Sequence, residues 1–159
     1  MKRLTLAVCL LSVFVITASA VQAKTVPVQE KKSLYTRLGG YDAMAAVTDD
    51  FLRRLTSDAT FARFFSGHST DSLKKIRQLV VDQLCAATGG PCVYIGRDMK
   101  SSHQGMGITE ADWNRAVSHL VATLDKFKVP EKEKSEFLAL ASTLKNDIVE
   151  QKPAAAAKP

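Results

Sequence analysis

The sequence predicts an all-α fold. Apolar residues recur at spacings of three and four in four separate segments, and each segment is bounded by residues that cap or stop helices. No segment alternates polar and apolar residues with period two for long enough to make a convincing strand. The 159 residues suit one domain of ordinary size.

Taken in order, residues 24–32, with Pro27, form a short polar linker. From Ser33 a brief helical turn, Leu34 to Leu38, is stopped by Gly39-Gly40, a pair free to adopt positive φ. The segment from roughly Asp42 to Thr56 places Met44, Val47, Phe51 and Leu55 on one stripe, with Asp42 as its expected cap. Phe61, Phe64 and Phe65 follow in an aromatic-rich turn, suited to core or to walling a flat aromatic ligand. A polar loop with His68 leads to a helix from about Ser72 to Ala87. Its inner stripe is Leu73, Ile76, Val80 and Leu84, with Leu79 beside it, and Thr88-Gly89-Gly90-Pro91 stops it.

Leu84 to Thr109 is too glycine-rich and polar for a helix of its own. It holds five of the eight glycines, Cys85, Cys92 and His103, and it reads as a site that helices frame. Thr109 with Asp112 resembles a capping box opening a helix that carries Trp113, Ala116, Val117, Leu120, Leu124 and Phe127. Val129-Pro130-Glu131 starts a last helix, with Pro130 expected at its first position. Phe137, Leu140, Ala141, Leu144 and Ile148 are its expected buried face. Residues 151–159, rich in alanine, form a low-complexity tail expected to be disordered.

The beginning of the chain has another character. Lys2 and Arg3 precede an apolar run from Leu4 to Thr17, and Ala18-Ser19-Ala20 and Val21-Gln22-Ala23 both suit a peptidase. Residues 1–23 therefore read as a secretory signal peptide and place the product outside the cytoplasm, in a bacterial periplasm. The run is shorter than the roughly 18–20 apolar residues of a spanning helix, so no membrane anchor is expected after cleavage. Without Lys2 and Arg3 the chain keeps 20 basic residues against 16 acids, about +4. These charges are spread beside acids and along helix faces, which excludes a nucleic-acid surface. In an oxidising compartment Cys85 and Cys92 suit a disulfide, with two buried thiols as the alternative.

The chemistry-bearing residues are few. Neither His68 nor His119 is spaced from His103 as zinc ligands are, and no Ser-His-acid set, phosphate loop or dinucleotide fingerprint occurs. Haem asks for less, because the porphyrin supplies four ligands and one histidine completes the attachment. It also requires an apolar slot with a basic or polar rim, and Arg97 and Lys100 flank His103.

The strings SLYTRLGGYDAM, DDFLRRL, FFSG, ATGGP, YIGRDMKSSHQGMGIT and the VP before the last helix, in this order, resemble the group I truncated haemoglobins. The likeness spans residues 33–150. It implies a two-over-two helical sandwich around haem b, an iron held by His103, and haem contacts from Phe51, Phe65, Tyr94 and Met99. Where oxygen-handling members have a tyrosine after the helix phenylalanine, this chain has Leu52. At two positions where distal glutamines are common it has Ile76 and Val80, aligned from Gly89-Gly90, or Leu73 and Arg77, aligned from Phe64-Phe65. Gln78 and Gln83 are the remaining candidates for a polar distal group. An apolar distal pocket offers a gas ligand no hydrogen bond, a loss of roughly 1.5–3 kcal/mol. The expectation is reversible binding of oxygen or another diatomic gas. A haem oxidoreductase consuming nitric oxide or peroxide, which needs a redox partner, and a haem-free helical interaction module are the alternatives.

Overall fold

The computed structural model describes residues 32–150. The expected signal peptide, most of the linker and the tail lie outside the described residues. No strand occurs among the described residues. Four long helices, α2 (Gly40–Ser57), α4 (Thr70–Ala87), α6 (Glu110–Lys126) and α7 (Glu131–Thr143), are joined by the short α1 (Leu34–Leu38), α3 (Ala62–Phe65), α5 (Met99–His103) and α8 (Lys145–Ile148). A 3-10 turn, Ala59–Phe61, precedes α3. α2 packs on both α4 and α6, α6 packs on α7, and α1 bridges α2 and α7. The result is two helix pairs in two layers.

The core sits where the layers meet. Leu34, Met44, Val47, Cys85, Leu120, Leu124 and Phe137 form its buried cluster. Close packing among such side chains is the main apolar contribution to stability. A partly enclosed apolar cavity of about 130 Å³ lies among Met44, Val47, Leu124 and Phe137, away from the glycine-rich segment.

Thr48, Asp50, Thr88, Asp112 and Thr123 are as deeply buried as the apolar side chains. Asp50 on α2 is 3% exposed, and it accepts hydrogen bonds from Thr123 Oγ1 at 3.1 Å, Lys126 Nζ at 2.5 Å, Arg54 Nε at 2.7 Å and Arg53. Burial pushes its carboxyl up, but the Lys126, Arg54 and Thr123 hydrogen bonds outweigh it and hold the group well below the usual carboxylate range. Asp50 thereby ties α2 to α6 in one register, immediately before Phe51 and Leu52.

Several boundaries differ from expectation. α2 begins at Gly40, not near Asp42, because Gly39 at φ 103° ends α1 and serves at once as the cap position of α2. Asp42 instead lies in the first turn, where its charge suits the helix dipole. Ser69 caps α4, accepting from Ser72 N–H at 3.2 Å, so that helix starts two residues early. Its fully buried side chains are Val81 and Cys85; the expected stripe of Leu73, Ile76, Val80 and Leu84 is only half-buried, because α4 turns the neighbouring face toward α2. Pro130 is the cap of α7 and not its first residue. The last helix breaks at Leu144, and Leu140, expected to be buried, is 38% exposed. Phe127 falls outside α6 as its C-cap and is also exposed. The expected capping box of α6 is present, Thr109 and Asp112 each serving the other.

Candidate functional site

The glycine-rich segment leaves α4 under covalent control. Cys85 and Cys92 form a disulfide, and Cys85 is fully buried. A Cβ on Gly90 would stand 2.7 Å from Cys85 Sγ and 2.6 Å from the Tyr35 ring, so only glycine lets the chain pass there. Beyond Cys92 the backbone runs without regular structure. The Tyr94 hydroxyl turns back and donates to the Arg97 carbonyl at 2.6 Å, with its ring over Gly96, whose Cβ would lie 2.4 Å from it.

Contrary to expectation, this segment contains a helix of five residues, α5. Asp98 nucleates it: Oδ1 accepts from Ser101 N–H at 2.7 Å and Oδ2 from the Ser101 hydroxyl at 2.9 Å. The Ser101 hydrogen bonds, backbone first, hold the Asp98 carboxyl below its ordinary value. His103 is the last residue of α5, half-buried, and its Nδ1 lies 2.8 Å from the Met99 carbonyl one turn back. A carbonyl oxygen only accepts, so Nδ1 carries the proton and the Nε2 lone pair of the neutral ring is left for a ligand. A backbone partner on the other ring nitrogen is the arrangement that orients metal-bound imidazoles.

The other predicted residues lie on α2, α3 and α4. Phe51 and Leu52 follow Asp50 on α2, Phe65 ends α3, and Ile76 and Val80 share one side of α4; all five are half-buried. Phe51 also packs on the core cluster. Arg77 is engaged by Asp49, at 2.6 and 2.9 Å. Gln78 is exposed, donating at 2.9 Å to both the Tyr41 hydroxyl and Asp82. Neither is a polar group of an inner wall. Gln83 is half-buried.

His68 is exposed in its loop. His119 is a boundary residue, Nε2 at 2.7 Å from Asp58 and its ring edge-on to Phe61. Of the three phenylalanines, Phe61 belongs to the core. Arg97 and Lys100 are exposed and have no carboxylate partner among the described residues.

Haem fits this donor set. No cluster of three or more His, Cys, Asp or Glu side chains able to hold a bare ion occurs among the described residues. What is present is one oriented imidazole, half-buried aromatic and aliphatic side chains, and two uncommitted cations suited to propionates. Sequence reading missed Asp98, although an Asp three residues before a serine is a capping signal. It also missed Asp50 and Glu150: besides Arg53 and Arg54 one turn on, Asp50 meets Thr123 and Lys126, 73 and 76 residues away, and Glu150 meets Gly107, 43 residues away, contacts that leave no local pattern.

Known proteins resemble this chain in sequence and fold. Residues 33–150 match the family described as bacterial-like globin. The chain is 35% identical over 119 residues to the Group 1 truncated hemoglobin GlbN of Mycolicibacterium paratuberculosis, covering 75% of this chain and 85% of that one. It is 30% identical over 138 residues to the Group 1 truncated hemoglobin LI410 of Chlamydomonas moewusii, covering 84% and 79%. Its fold matches the solved truncated hemoglobin of Tetrahymena pyriformis with a TM-score of 0.69 at 26% identity, covering 76% of this chain and 100% of that one. The 2/2 hemoglobin of a Synechococcus species, solved with covalently attached heme, gives 0.68 at 26%, with the same coverage. On this similarity and on the single oriented imidazole of the site, the chain belongs to the bacterial-like globins, among the group I truncated haemoglobins, and is a haem protein that binds a gas.

Proposed function

We propose that the cofactor is haem b, that His103 Nε2 ligates its iron, and that the chain binds oxygen or another diatomic gas reversibly outside the cytoplasm. The single observation that carries this is the Nδ1–Met99 carbonyl hydrogen bond, which commits one ring nitrogen and leaves the other free. Haem, when bound, supplies an iron centre with a position open to a small gas. The chain supplies everything around it. Phe51, Phe65, Tyr94 and Met99 wall the porphyrin, and Arg97 and Lys100 meet the propionates. Leu52, Ile76 and Val80 exclude water from the gas side and offer no hydrogen-bond donor. A binding role therefore fits better than consumption of nitric oxide or peroxide, which profits from a polar distal group.

The purified chain, grown with ample haem, should show a Soret band, and His103→Ala should lose haem or retain it weakly. Normal haem content in that variant refutes the ligand assignment; no haem uptake by the wild type refutes the whole reading. Export rests on residues 1–23. Expressed from its full sequence in a bacterium, the product should be recovered from the periplasm beginning at Lys24. An intact chain held in the cytoplasm would remove that part of the proposal.

A further inference from the structure

His103 is followed by the least regular backbone of the fold, and that backbone is gripped from the far end of the chain. Gly105 and Gly107 both hold positive φ, 83° and 63°. Their N–H groups converge on the Glu150 carboxylate: Gly105 donates to Oε1, and Gly107 donates to Oε2 at 2.9 Å. Glu150 N–H in turn donates to the Ile108 carbonyl at 2.9 Å. Successive amides pointing at one anion form a nest, and hydrogen bonds to a carboxylate are stronger than neutral ones. α5 packs on α8, and α8 is itself tied to α6 by Lys145 and Glu110 at 2.6 Å.

We propose that Glu150 is a positioning residue for His103. The Met99 carbonyl sets the rotation of the imidazole about its own bond, but not the placement of α5 as a body. At its start α5 is fixed by the Asp98 cap. At its end the chain turns away through Gln104 and Gly105, and two positive-φ glycines impose little stiffness by themselves. The Glu150 carboxylate supplies the second fixed point, two residues beyond the histidine, and connects it through α8 to the long helix α6. Freed from that contact, α5 pivots about its cap, and Nε2 samples a wider range of positions. The consequence falls on the strength and geometry of the bond from His103 to the cofactor, and only weakly on the core, which α5 does not enter. This role rests on the proposed ligation by His103.

The test compares the wild type with Glu150→Gln and Glu150→Asp in the full-length chain. A glutamine presents one acceptor and one donor, so it opposes one of the two glycine N–H groups, whereas aspartate keeps both acceptors on a shorter arm. In the haem-free chain, amide exchange at one at least of Gly105 and Gly107 should speed up in Glu150→Gln. In the haem-loaded chain, haem transfer to an acceptor globin should be roughly tenfold faster, the effect of losing about one charge-assisted hydrogen bond. The iron–histidine stretching band of the ferrous form should shift or broaden, while the unfolding midpoint of the haem-free chain changes little. Glu150→Asp should recover part of the slow haem loss. Faster exchange at either glycine with unaltered haem loss and an unaltered stretching band would overturn the proposal and leave ligation by His103 standing. Slow exchange at both glycines in Glu150→Gln would overturn the contact itself. A wild-type chain that takes up no haem refutes the ligation, and this role with it.

Discussion

The long-helix frame and the segment from Pro91 to Gly107 are held in place by opposite means. The largest fully buried side chains, Met44, Thr48, Val81, Cys85, Thr123 and Leu124, all belong to α2, α4 and α6. From Pro91 to Gly107 no residue is fully buried; a disulfide, the Tyr94 hydroxyl, the Asp98 cap and the Glu150 carboxylate hold the chain there. Burial is strong but non-directional. Hydrogen bonds contribute less each but are directional. A frame needs strength, and a single oriented imidazole needs direction.

Changes in the frame should therefore cost global stability and spare the bond between His103 and the cofactor. Leu124→Ala, at a site 1% exposed, should lower unfolding free energy by about 3 kcal/mol in urea, with an unchanged iron–histidine stretch at matched haem content. A shifted stretch would show that the two regions are coupled. The disulfide lies on the border between them. Its reduction should cost about 2.5 kcal/mol, the chain-entropy value for so short a loop, again without moving the stretch. A shift there would extend the clamp upstream of Asp98.

Asp50 is the most deeply buried directional contact between the long helices. Asp50→Asn should cost about 2 kcal/mol, because Lys126 and the two arginines that lose their carboxylate are themselves partly in water. Its carboxyl is depressed in the folded state, so its contribution is complete above the unfolded pKa of about 4 and is lost as pH falls through the lower folded value. The stability difference between wild type and Asp50→Asn should stay flat from neutral pH to about pH 5 and shrink below pH 4. A difference that already declines near neutrality would contradict the geometry. The smallest change in stability but the clearest in function should come from Leu52→Tyr, with oxygen release slowed about ten- to hundredfold by one added donor. Unchanged release would mean that another residue, such as the half-buried Gln83 on α4, already supplies one.

Much of this was legible in the residues. The four long helices follow from apolar periodicity and caps, and the capping box of Thr109 and Asp112 was visible as a local pattern. The segment holding His103 stood out because its glycines and polar residues break that periodicity. Less legible was which face of α4 is deepest, since Val80 and Val81 are both apolar and only the angle at which α2 approaches chooses between them. Leu140 and Phe127 fit their stripes and are nevertheless exposed, because periodicity alone does not say whether a neighbouring element covers a stripe.

Local chemistry alone determined the helices, their caps, the break at Gly89-Gly90-Pro91 and the candidacy of His103, because those signals act over one or two helical turns. The imidazole of His103 is oriented locally, by Met99 one turn back, but the contacts that hold α2 on α6 and the glycine turn after His103 depend on distant partners. Asp50 finds Thr123 and Lys126 only when α2 lies against α6, and Glu150 finds Gly105 and Gly107 only when α8 docks beside α5. Such pairings carry no periodic signal. They are decided by which surfaces meet when the core closes.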